Sequence, residues 1–299
     1  VRRETELIEG RLGYLPGNKM KRSFIEYYQE LTEEKASANT RASWLVALQH
    51  LRAFGGEFIL FGTLTREFLE SFRKHLLKKV TPNSAQIYFS RIKTALNQAV
   101  KEAVIPSNPA QYLSIKKEDR LPVYLTLEEL RSLLRAPCAN QHVRNAFVFS
   151  CFTGMRYSDV ISLTWDRIAE GQVTFRQQKT GREERLPLAK QALEILEQQK
   201  ITPRHDRTKR KVATDTIFFL PSQQVIDKQL KSWGEKAGLK KRISFHKARH
   251  TFATLSQSSG TDIYVISKLL GHKNLQSTQI YTRVTDGTKQ QAVDSLPRL

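Results

Sequence analysis

The sequence has 299 residues, 39% of them hydrophobic, and carries a formal net charge of +20 from 49 Lys and Arg against 29 Asp and Glu. That length suits two domains with ordinary cores, and that charge points to a polyanionic partner, nucleic acid first. No stretch approaches the roughly 18 apolar residues of a membrane helix, and the first residues show no signal-peptide pattern, so no membrane partner is expected.

Four helical patterns fill the first hundred residues. Phe24, Ile25, Tyr28 and Leu31 mark the apolar face of the first. Trp44, Leu45, Leu48, Leu51 and Phe54 mark the second, which Gly55 and Gly56 end. Leu64, Phe68, Phe72 and Leu76 belong to a third, with Thr63 or Thr65 as its N-cap. Tyr88, Ile92, Leu96, Ala99 and Ala103 lie on a fourth, opened by Pro82-Asn83-Ser84 and stopped by the run from Ile105 to Pro109. Basic residues such as Arg41, Lys74, Lys78, Lys79, Arg91 and Lys93 fall on the polar faces, giving a small basic helical bundle. Residues 113–121 are polar, charged and followed by Pro122, which reads as an interdomain linker.

The second domain, 122–299, opens with Thr126-Leu127-Glu128-Glu129, the pattern of a capping box, and helical periodicity continues to about Leu163. Two short strands, Val173-Thr174-Phe175-Arg176 and Arg185-Leu186-Pro187-Leu188, flank Lys179-Thr180-Gly181. Helices resume at about 189–199, 223–236, 246–259, 262–270 and 274–282, and residues 204–211 form a basic loop read as a solvated insertion. The expected fold class is mainly α with a small antiparallel β-sheet, a helical domain followed by a mixed α+β domain. Cys138 and Cys151 sit in no disulfide framework, which fits reduced thiols in a cytoplasmic protein.

The chain has no Gly-rich phosphate loop followed by Lys-Ser or Lys-Thr, no Cys-x-x-Cys and no His-Glu-x-x-His. ATP use and zinc are therefore not indicated, and no cofactor is expected. What stands out is a set of cations followed by one late tyrosine. Arg156 follows Gly154 in Thr-Gly-Met-Arg-Tyr-Ser-Asp, Lys179 sits at the hairpin tip, His246 and Arg249 share a helix face, and His272 follows Gly271 ahead of Tyr281. Each has a plainer reading alone. Arg156 could pair with Asp159, Lys179 could be a turn lysine, His246 and Arg249 a polar helix face, His272 a helix cap and Tyr281 a core residue. A metal pair of His246 and His272 lacks an evident third ligand.

Together these stretches resemble the active-site signature of the tyrosine recombinase family. That signature is a Thr-Gly-x-Arg-x-Ser-Glu/Asp box, a hairpin Lys, a His-x-x-Arg box, a Leu-Gly-His box and a Tyr nine residues after its His. The matching stretches are TGMRYSD with Arg156 and the supporting Asp159, QKTGRE with Lys179, HKARHTFAT with His246 and Arg249, and LLGHKNLQSTQIYTRV with His272 and Tyr281. The flavour is that of phage and conjugative-transposon integrases, with Xer recombinases as the near alternative.

The chemistry of such a set is coherent. Arg156 and Arg249 can hold the non-bridging oxygens of a phosphodiester, with His272 as a further donor. Tyr281 attacks phosphorus, His246 helps to remove its proton, and Lys179 protonates the departing 5′ oxygen. With cations around the phosphate, neither metal nor ATP is required. The resemblance implies a coupling segment at 1–18, a core-type DNA-binding domain at 19–112 and a catalytic domain at 122–299, forming a C-shaped clamp on double-stranded DNA. It further implies a homotetramer on two DNA sites, a Holliday junction, integration and excision of a mobile element, DNA-bending accessory proteins and a nucleoid-associated location. The tail after Tyr281 is expected to pack on a neighbouring protomer. Because the chain opens at Val1, within the charged segment 2–10, a further arm-binding domain is expected before it. The rival readings are type IB topoisomerase-like relaxation, a non-catalytic DNA-binding module and a metal-dependent transposase or nuclease.

Overall fold

The computed structural model describes residues 21–118, 121–203, 215–272 and 274–282, and the chain divides into two compact units, residues 1–120 and 121–299. The coupling segment, the basic loop at 204–211 and the tail after 282 lie outside the described residues.

The first unit holds α1 (Phe24–Glu33), α2 (Ala38–Gly55), α3 (Arg66–Lys79) and α4 (Pro82–Lys101). Each starts where a hydroxyl can accept an otherwise unpaired amide: Ser23 from Glu26, Ser37 from Thr40, Thr65 from Phe68 and Thr81 from Ser84. Thr65, not Thr63, caps α3; Thr63 ends a 3-10 turn at Phe61–Thr63. Gly56 stops α2 at φ 85 and Ala103 turns the chain after α4 at φ 53, so Ala103 lies past the helix that periodicity assigned it to. The interior is aromatic. Phe24, Tyr28, Trp44 and Phe72 are all but fully buried, and the Tyr28 hydroxyl donates to the Trp44 carbonyl. Charge alone made 113–121 look like a linker, yet its first part is fastened to this unit. Leu113 and Ile115 join the core, Arg73 donates to the Ser114 carbonyl, and Asn83 bonds the Glu118 backbone in both directions.

The second unit is built around α6 (Gln141–Thr153), most of whose residues are buried. A helix apolar on nearly all sides belongs at the centre of a domain. Here α8 (Lys190–Ile201) and α10 (Phe245–Ser258) pack along it, α7 (Tyr157–Ile161) follows it, and α9 (Gln223–Lys236) bridges it to α5 (Leu127–Arg135). Phe147 of α6 meets Trp233 and Phe245 edge-on, and its truncation to Ala is worth about 3–5 kcal/mol. The capping box at Thr126 and Glu129 forms in full. The sheet is antiparallel in the order β1-β2-β3, with β1 at Ile168–Ala169, β2 at Gln172–Arg176 and β3 at Glu183–Pro187. Val173 pairs with Leu186 and both are buried, while Glu183, Arg185 and Pro187 are exposed along β3. The short β1 had no sequence signal, since two residues show no alternation. Two short helices complete the described chain, α11 (Ile263–Leu269) and α12 (Gln276–Thr282), packed on each other and on α10.

Candidate active site

Where α6 ends, Gly154 takes the left-handed conformation at φ 68. A Cβ there would lie 2.6 Å from the Phe252 ring and 2.9 Å from Leu270, so only glycine fits. The turn is fixed further by Ser150, whose hydroxyl donates to the Met155 carbonyl. It leaves Arg156 extended at the start of α7, its Nη1 4.0 Å from Asp159 Oδ2. That nitrogen and that oxygen are buried and have no hydrogen-bond partner among the described residues. Buried polar atoms are ordinarily satisfied, so an orphaned cationic donor marks a place for an incoming anion. The other Asp159 oxygen accepts the amide of Gln178, at 2.9 Å. One buried carboxylate therefore links Arg156 to the base of the hairpin.

The hairpin turn closes through the Gly181 amide on the Gln177 carbonyl and the Gln177 amide on the Arg182 carbonyl. Gly181, at φ 68, supplies the left-handed residue. The Gln177 side chain is buried, accepts from the Thr180 hydroxyl and donates to Glu184. Lys179 stands exposed at the tip.

Helix α10 carries His246, Arg249 and His250, which share one face by their spacing. Arg249 is 5% exposed; its Nη1 donates to the Gly154 carbonyl at 2.7 Å and its Nη2 to the Leu270 carbonyl at 2.5 Å. Desolvation, then the charge of Arg156, pulls its pKa down to about 10, so it remains a cation at neutral pH. His246 is exposed at the edge of the site. Its pKa is lowered by desolvation and then by the charges of Arg249, Arg156 and Lys179. His272 follows Gly271, where a Cβ would run into the Gln177 side chain and lie 2.8 Å from Glu184 Oε1. Its Nδ1 is 2.8 Å from the Thr278 hydroxyl, and desolvation followed by Arg249 and Arg156 lowers its pKa to about 4.

Tyr281 is 3% exposed and packs with Ala253, Ile266 and Leu270. Burial raises its pKa against a smaller lowering by Arg249. Its hydroxyl lies 2.8 Å from His250 Nδ1. The sequence had given the tyrosine's proton to His246; the residue that touches it is His250, whose ring is stacked edge-on against His246 at 4.4 Å. His250 was legible only as the residue after Arg249, four beyond His246, because its partner is 31 positions away. Gln177, the wedge between the hairpin and Gly271, was also missed.

The structure thus gathers Arg156, Lys179, His246, Arg249, His272 and Tyr281, with Asp159, into one electrostatic neighbourhood. Among the described residues no three His, Cys, Asp or Glu side chains form a metal-holding cluster. The set combines cationic side chains with a phenol. That is what displacement at a phosphodiester needs, because charge grows on the non-bridging oxygens as the nucleophile arrives.

The Phage integrase family matches residues 123–288, and the phage integrase SAM-like domain matches residues 23–118. The tyrosine recombinase XerC of Shewanella oneidensis is 28% identical over 270 residues, covering 86% of this chain and 86% of its own. Two solved structures share the fold. A lambda integrase tetramer bound to a Holliday junction superposes with a TM-score of 0.66 at 20% identity, covering 83% of this chain and 76% of that one. The Tn1549 transposon integrase in complex with a circular intermediate DNA gives 0.72 at 16% identity, covering 92% and 99%.

Proposed function

The chain belongs to the phage integrase family and is a tyrosine-type site-specific recombinase, and from that premise we propose that Tyr281 is its nucleophile and that it integrates and excises a mobile element. The observation that supports the nucleophile is the contact of the Tyr281 hydroxyl with α10, the helix that carries the buried Arg249; Arg249 in turn grips the Gly154 carbonyl two residues before Arg156, whose Nη1 is buried without a hydrogen-bond partner among the described residues. Tyr281 Oη bonds to phosphorus while the bond from phosphorus to the 5′ oxygen breaks. Arg156, Arg249 and His272 hold the non-bridging oxygens, and losing one such donor costs about 100- to 1000-fold. Lys179 delivers the proton to the 5′ oxygen, and His246 helps to remove the phenolic proton. Attack by a free 5′ hydroxyl on the 3′-phosphotyrosine reverses these steps, so rejoining needs no nucleotide.

Residues 19–112 and 122–299 both contact duplex DNA, chiefly through phosphates, with 113–121 between them. Four protomers on two sites, exchanging strands through a Holliday junction, fit the lambda integrase tetramer to which this chain is similar. DNA-bending accessory proteins would complete the assembly.

The test is covalent capture. The protein is mixed with nicked duplexes of randomised sequence, denatured in dodecyl sulfate, and the attached strands are sequenced. A 3′-linked adduct on a defined site is expected for the native chain, and none for Tyr281→Phe at undiminished DNA binding. An adduct from Tyr281→Phe overturns the assignment.

A further inference from the structure

We propose that His250 is the positioning residue of the nucleophile, its Nδ1 accepting the Tyr281 hydroxyl and fixing where Oη points. The inference rests on the recombinase reading and adds to it a side chain outside the family signature. Packing against Ala253, Ile266 and Leu270 holds the Tyr281 ring, but the hydroxyl turns about its own bond and α12 has only seven residues, so the reacting atom still needs a fixed aim. Two bonds supply it here. The Thr278 hydroxyl meets His272 Nδ1 and the Tyr281 hydroxyl meets His250 Nδ1, each at 2.8 Å, so α12 is pinned at two points three residues apart.

The second pin is set by α10. His246, Arg249 and His250 project from one face of that helix, so the atom that holds Oη is built on the same rigid rod as Arg249. Nucleophile and phosphate ligand are thereby registered against each other through one turn of backbone.

The direction of the bond follows from acidity. Burial keeps Tyr281 protonated. Desolvation first, then His246, Arg249, His272 and Lys247, lowers the His250 pKa to about 4, so its ring is neutral. Between a neutral phenol and a neutral imidazole the stronger acid donates, which makes the bond O–H to Nδ1. An imidazole so weakly basic orients the phenol and leaves it protonated until the phosphate arrives.

The experiment uses the duplex selected by covalent capture and the single-turnover rate of adduct formation. His250→Phe keeps the ring and removes the acceptor. It should slow the adduct by about 10- to 100-fold, the scale of a misplaced reacting group, with DNA affinity unchanged. His250→Asn places Oδ1 near the position of Nδ1 and should recover most of that loss, which a merely space-filling role would not allow. If His250→Phe does not fold, as judged by DNA binding, His250→Ala takes its place. A Phe or Ala variant as fast as the native chain overturns the inference, as does an Asn variant no better than Phe, which would assign the imidazole a proton-transfer role. No adduct from the native chain on any duplex overturns the recombinase reading and this inference with it; a native adduct with an undiminished His250→Phe overturns this inference alone.

Discussion

Two cations of the site are held in opposite ways. Arg249 is buried in α10, and two backbone carbonyls, from the end of α6 and the end of α11, grip its guanidinium. Lys179 stands in solvent on a hairpin whose foot is fastened by Asp159 and the buried Gln177. The difference matches the two jobs proposed for them. A ligand for developing negative charge works best when it is already in place, because no reorganisation is then needed during reaction. A proton donor must reach a leaving oxygen, release the proton and withdraw. Arginine suits the first because it stays charged at neutral pH and grips with a rigid fork of donors, and lysine the second because its amine can give up a proton.

The largest expected effect falls on the free cation. Lys179→Ala should slow cleavage about 10²–10⁴-fold on an ordinary duplex. It should be nearly normal on a duplex with sulfur at the bridging 5′ position, since a thiolate leaves without a proton. The thermal midpoint should not move, because the side chain is exposed. Equal defects on both duplexes would make Lys179 a phosphate ligand and erase the contrast.

Arg249→Ala should cost about 10²–10³-fold in adduct formation and should also weaken the fold. The Gly154 and Leu270 carbonyls lose their donor, at about 1–3 kcal/mol for each group left buried and unpaired. Urea unfolding measures this. Loss of cleavage at unchanged stability would show that Arg249 is not part of the frame.

Two glycines sharpen the point. Gly271 and Gly181 both have positive φ, at 59° and 68°, so alanine costs about 1–2 kcal/mol of backbone strain at either. Only at Gly271 does the new Cβ also strike Gln177. Gly271→Ala should therefore be the more destabilising in urea and should also slow the adduct by displacing the hairpin foot. Gly181→Ala should show the backbone cost alone.

The last effect is a pH dependence of stability. His250 and His272 have folded pKa values of about 4, below the usual 6.5, so on acidification the unfolded chain binds protons first. Stability is complete above pH 6.5 and is lost as pH falls toward 4. The urea midpoint should track this, and His250→Asn should flatten the slope.

Much of this was legible in the sequence, for local reasons. Helices α1 to α4 announce themselves by apolar spacing, α3 also by a threonine cap, and Gly154 and Thr126 sit where a stop and a start are needed. The mainly helical class with one small sheet follows from the same signals. What stayed hidden depends on partners distant along the chain. Asp159 reads as a neighbour of Arg156, but its Oδ1 also accepts the Gln178 amide, 19 positions away. Gln177 is an ordinary turn residue until Gly271 is placed against it. His250 reads as one more polar residue of α10 until Tyr281 arrives. Likewise the charges of 113–121 suggested a free linker, while Leu113 and Ile115 carry the contacts that anchor its first part.

The small sheet has one more consequence, for how copies of this chain meet. An open strand edge offers unpaired amides and carbonyls to any strand that approaches. Here one outer strand, β1, is two residues long, too short to template a partner. The other, β3, sets Glu183 and Arg185 in solvent and ends at Pro187, which has no amide hydrogen to offer. Neither edge of the sheet that carries the Lys179 hairpin is thus a long, flat, apolar strand of the kind that templates a partner.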